Sequence, residues 1–113
     1  MIERTLCLIL LLVFVFSFIG CETVAPETRR QAYVDEHQQL SKPVKQKILD
    51  GLIAIGMTEE QVTASLGKPG GVKKNVSIRV VDEEWMYGPF PNCTYLHFDN
   101  GILIGIQNPS WQY

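Results

Sequence analysis

The chain is poor in the residues that most chemistry needs. It holds three cysteines and two histidines in 113 residues. His37 and His97 carry no H-x-x-x-H spacing around them, so the pattern offers no metal site. Ser65, Ser77 and Ser110 lack the context of a nucleophile elbow or a triad. Gly67-Lys68-Pro69-Gly70-Gly71 is glycine-rich, but it lacks the Gly-Lys-Ser/Thr that cradles a phosphate, and it reads as a helix stop and turn. Basic residues form no stripe, which argues against a nucleic-acid partner. Asp82-Glu83-Glu84 reads as a solvated turn rather than a paired acid–base site. These absences predict a protein that is not an enzyme, with no catalytic residues, no metal, no cofactor and no small-molecule substrate.

What is present begins with an uncharged run. Leu6 to Ile19 spans fourteen residues without a charge, after a start containing Arg4 and Glu3. Phe18-Ile19-Gly20-Cys21 closes it. A basic start, a short apolar core and a small residue before the cut describe a secretory signal peptide over residues 1–20. The competing reading is a membrane-spanning anchor. Fourteen helical residues would cover roughly 21 Å, short of the roughly 30 Å hydrocarbon core. The cysteine directly after glycine resembles a bacterial lipobox. That resemblance implies cleavage before Cys21, diacylation of its thiol and acylation of the new amine. Two or three acyl chains anchor a protein stably where one does not. Glu22 after the cysteine resembles outer-membrane sorting signals, so the expected location is the outer membrane, facing the periplasm.

Cleavage leaves 93 residues, nine basic and eleven acidic, enough for one small domain. Cys7 departs with the signal and Cys21 takes lipid, so Cys93 has no partner and reads as a small, partly buried strand residue. Residues 22–40 are polar and contain a proline. They read as a flexible tether that would reach about 22–26 Å as a coil. A helix near Arg29 to Leu40 is the alternative.

The folded domain is expected over residues 41–113. Pro43 suits a first helical turn, and Val44, Ile48 and Leu49 recur at helical spacing before Gly51. Leu52 to Ile55 reads as an apolar connector. Thr58 and Gln61 form a capping box for a helix over Glu59 to Leu66. Met57 and Val62 are placed as a hydrophobic staple, Glu59 and Glu60 complement the helix dipole, and Gly67 with Pro69 ends the helix. Beyond the loop Lys68 to Lys74, Val76, Ile78 and Val80 alternate as in a strand, and Trp85 and Tyr87 alternate in the next. Asn100-Gly101 joins two further strand runs as a hairpin turn. Leu96 and Phe98 should face the core, with Ile102, Ile104 and Ile106 along one face of the last strand. Tyr95, His97 and Cys93 then share the opposite, open face, which is suited to a partner strand or surface. The predicted fold is α+β: two short N-terminal helices packed on a three- to four-stranded antiparallel sheet.

Gly56-Met57-Thr58-Glu59-Glu60-Gln61-Val62 followed by Leu66-Gly67-Lys68-Pro69 resembles the signature of the SmpA/OmlA (BamE-like) family of outer-membrane lipoproteins. Trp85-x-Tyr87 and the hairpin Tyr95 to Ile106 continue the likeness over roughly residues 44–108. The resemblance implies a non-catalytic accessory or scaffold in envelope or β-barrel outer-membrane protein assembly, with barrel-assembly proteins as partners. The segment that precedes the domain in that family has no obvious counterpart in residues 22–40. The alternative is a membrane-tethered periplasmic binding or inhibitor module on the same fold. Trp85, Tyr87 and Trp111 are the candidate partner contacts. For Trp85 and Tyr87, packing beneath the helices is the competing reading.

Overall fold

The computed structural model describes residues 24–108. Three helices precede a four-stranded antiparallel sheet, so the fold is α+β. The helices are α1 (Pro26–Glu36), α2 (Lys42–Leu49) and α3 (Glu59–Leu66). The strands are β1 (Gly71–Val76), β2 (Val81–Tyr87), β3 (Thr94–Asp99) and β4 (Ile102–Gln107), paired in the order β1-β2-β3-β4. Val34, Ile48, Met57, Val62 and Ala64 meet Trp85, Leu96, Phe98 and Leu103 in one core.

The first correction concerns residues 22–40. Most of this stretch is not a flexible tether, because Pro26–Glu36 is helical and packed down. Its apolar content is low and Val34 is its buried residue, which is why it reads as a linker in sequence. Two arginines secure it. Arg29 Nε donates to the Ala64 carbonyl at 3.1 Å, and Arg30 Nε donates to the Ser65 carbonyl at 2.8 Å. Those carbonyls belong to the last turn of α3, whose acceptors have no partner within the helix. That turn has no basic residue of its own. The cationic complement to its dipole therefore comes from α1.

Local chemistry sets the other helix ends. At the end of α2, Gly51 takes φ 70°. Gly51 N–H donates to the Ile48 carbonyl and Leu52 N–H to the Lys47 carbonyl, at 3.1 and 2.8 Å. This paired closure is the Schellman motif, and it favours glycine at the left-handed position. A Cβ on Gly51 would also lie 2.6 Å from the Arg30 guanidinium, so the same residue lets α1 approach. At the start of α3 both bonds of the capping box form, between Thr58 and Gln61. Met57 and Val62 are both buried, as a staple requires. Ser65, fully buried, donates its hydroxyl to the Leu52 carbonyl at 2.6 Å.

Further corrections fall in and beside the sheet. Ser77 to Val80 is a turn, not strand: the Ser77 hydroxyl accepts from Val80 N–H at 3.2 Å, and Ile78 stands fully exposed. The first strand instead begins at Gly71, inside the expected loop. Asp82-Glu83-Glu84 is not a turn either; it lies within β2. The Asn100-Gly101 turn is as expected, with φ 47° and 82°. Cys93 is buried, but it lies just before β3 rather than in a strand.

The isoleucines of β4 do not share a face. Leu96 pairs with Ile106 and His97 with Gly105, but Phe98 pairs with Leu103. One extra residue, Ile104, is accommodated between His97 and Phe98. This bulge switches the side-chain alternation midway. Leu103 is fully buried and Ile106 packs on the core, whereas Ile102 and Ile104 are exposed.

Candidate interaction face

The buried residues of all three helices meet the sheet on one side. Among the described residues no helix covers the other side, and register determines what it presents. Leu96 and Phe98 point into the core, so their strand neighbours Tyr95, His97 and Asp99 point out. Pairing carries that phase to Asp82, Glu84 and Met86 on β2, and to Lys73 and Asn75 on β1. The bulge adds Ile102 and Ile104. Lys73, Asn75, Asp82, Glu84, His97 and Ile104 bound a shallow hollow of about 360 Å³.

The electrostatics of this face are mixed. Glu84 and His97 sit directly opposite each other, with Oε2 and Nδ1 3.4 Å apart. Lys73 flanks Glu84 from β1. Asp82 and Asp99 also face each other across the strands. Like charges so placed are destabilising. Asp99 Oδ1 is buried without a hydrogen-bond partner. Beside these charges stand Met86, Ile102 and Ile104, 37%, 40% and 57% exposed. Apolar side chains between charged groups give a surface suited to a protein partner. Among the described residues no group of three or more His, Cys, Asp or Glu is arranged to hold a metal.

Two of the three expected contact residues, Trp85 and Tyr87, are not on this face. Trp85 pairs with Leu96, so it shares the core side of the sheet. It is 7% exposed and packs on Phe98 with ring centroids 4.5 Å apart. Trp85 is therefore a core residue and not a surface contact. Tyr87 is half-buried on the same side and donates its hydroxyl to the Gly67 carbonyl at 2.8 Å. Burial pushes its phenol pKa up to about 12. Tyr87 also lines an apolar groove of about 350 Å³ with Leu52, Ile53, Leu66 and Ile106. Cys21 and Trp111 lie outside the described residues. Tyr95 and His97 stand on the open face as their alternation predicts, but Cys93, expected beside them, is buried before β3 begins.

Sequence reasoning missed two features. One is Ile104 with its bulge. Its signal was Gly105, since an isolated glycine within a strand pattern marks a bulge. The other is a polar cluster on the core side. Glu83 accepts from the Trp85 indole N–H at 2.8 Å and pairs with the Lys74 ammonium at 3.1 Å. The Trp85 hydrogen bond leads the causes that hold the Glu83 carboxyl below its ordinary pKa. Burial, and then the Glu83 carboxylate, push the Glu59 carboxyl up. Glu83 thus satisfies a buried indole, which would otherwise lack a partner.

No protein-family model matches the chain, no curated protein matches it, and no solved structure matches it. Among the described residues no helix is long and apolar enough to cross a membrane.

Proposed function

We propose that the chain is an outer-membrane lipoprotein anchored through Cys21, a non-catalytic accessory or scaffold in envelope or β-barrel protein assembly. The uncovered sheet face is its protein contact. One observation carries this reading: the β4 bulge turns Ile102 and Ile104 out of the core onto a face that no helix among the described residues covers. A solvated sheet face normally alternates apolar-in with polar-out. Here two isoleucines break that rule beside the Glu84–His97 pair. The Gly20-Cys21 junction supports the anchor. The capping-box helix, the Leu66-Gly67-Lys68-Pro69 stop and the order of helices before an antiparallel sheet support kinship with the SmpA/OmlA pattern.

The second reading, a membrane-tethered binding or inhibitor module, is favoured by the apolar groove beside Tyr87. The two readings separate in cells. Loss of an assembly accessory sensitises cells to detergents and bulky antibiotics, and loss of a tethered inhibitor does not. Complementation by the wild-type chain but not by Ile104→Lys, with the variant present at normal level, is the expected result. Unchanged permeability on deletion would count against the assembly role.

A further inference from the structure

We infer that the β2–β3 turn, with Phe90 at its tip, rests on the membrane that holds the lipid of Cys21. The inference depends on the lipid-anchor reading above and adds an orientation to it. Val24 is only three residues beyond Cys21, so the anchor lies within about 11 Å of it along even an extended chain. Val24 lines a hollow with Arg29, Tyr33, Thr63 and Ala64. The start of α1 thus runs beside the flank of α3. Arg29 fixes it there through the Ala64 carbonyl, near the C-terminal end of α3. The adjoining Gly67 carbonyl accepts from Tyr87, the last residue of β2. The N-terminal end of α1, the α3 C-terminus and the β2–β3 turn therefore lie at one end of the described residues.

That turn presents a large apolar side chain to solvent. Gly88-Pro89-Phe90-Pro91 leads away from β2, and Phe90 is 87% exposed. No core residue claims it. A proline on each side limits the backbone freedom of the tip. An aromatic side chain held within reach of a bilayer surface enters the interfacial zone. With both the lipid and Phe90 engaged, the strands stand on end above the bilayer. The uncovered sheet face then looks sideways, toward proteins in the same membrane.

The test uses the full-length lipidated protein in vesicles of phosphatidylethanolamine and phosphatidylglycerol containing lipid brominated near the headgroup. Phe90→Trp and Ile78→Trp are each made in a Trp111→Phe background. Ile78 is also exposed but sits in the β1–β2 turn, at the far end of β2. The Phe90→Trp indole should shift to the blue and be quenched several-fold more strongly than the Ile78→Trp indole. Equal quenching at the two positions, or none at either, with acylated Cys21 confirmed by mass, would overturn the orientation and leave the anchor standing. A mature protein lacking acyl mass on Cys21 would remove both.

Discussion

Glu83 is a carboxylate on the core side of a sheet, and it stays there because three groups use it. Its removal should cost more than its charge. Glu83→Ala leaves the Trp85 indole without an acceptor, and we expect a loss of about 1–3 kcal/mol in urea unfolding. Glu83→Gln keeps an acceptor oxygen and should recover much of that. The two acids of the cluster also respond oppositely to pH. Glu83 has a lowered pKa, so its contribution is present above the ordinary value of 4.5 and is lost as pH falls below it. Glu59 has a raised pKa, so its contribution is present below 4.5 and is lost as pH rises through the raised value. Glu59→Gln should therefore gain stability relative to the wild type as pH climbs from 4.5 toward neutrality. Tyr87 acts at the alkaline end. Its phenol ionises at 10.0 in the unfolded chain and at about 12 when folded, so stability falls as pH rises from 10.0. Tyr87→Phe should lose about 0.5–1.5 kcal/mol at neutral pH with its hydrogen bond, and should flatten that alkaline fall.

At the scale of elements, the bulge in β4 makes a sharp contrast between neighbours. Leu103 is fully buried and Ile104 is more than half exposed, although both belong to one apolar run. Leu103→Ala should cost about 2–5 kcal/mol, whereas Ile104→Ala should change stability by about 0.5 kcal/mol or less. Equal losses at both positions would show that the strand is not bulged. The same residues show what was legible in the sequence. α3 could be read to the residue, because Thr58, Gln61, Gly67 and Pro69 each impose a local geometry. The Asn100-Gly101 turn was legible for the same reason. α1 was not, because its attachment depends on two arginines reaching carbonyls 35 residues away. No apolar period announces such a contact. Trp85 was legible as an aromatic in a strand but not as to its face, since register with Leu96 decides that. The open face was half legible: alternation put Tyr95 and His97 there, and the bulge put Ile104 beside them.

At the scale of the whole molecule, a docked α1 changes what the proposed anchor at Cys21 would do. Under the proposed lipid anchor, a long coil would let the domain roam, whereas a helix that begins at Pro26 would keep it close to the bilayer. The arginine contacts would then be the joint between that anchor and the domain. Arg30→Ala should cost about 1.5–3 kcal/mol, the range for a hydrogen bond from a charged donor, and should raise hydrogen exchange across α1. On that proposal, the sheet face opposite the helices would be where an assembly partner sits. Ile104→Lys should weaken that association about tenfold or more while leaving unfolding midpoints unchanged, the behaviour of a contact residue rather than a core one. The most direct measurement is recovery of the natively lipidated protein from gently solubilised envelopes, with Cys21→Ala as the mislocalised control and the co-purifying proteins identified by mass. The account predicts barrel-assembly proteins with the native chain and none with Cys21→Ala. Recovery of the native chain from the soluble fraction without acyl mass, or from membranes with no outer-membrane protein bound, would contradict it.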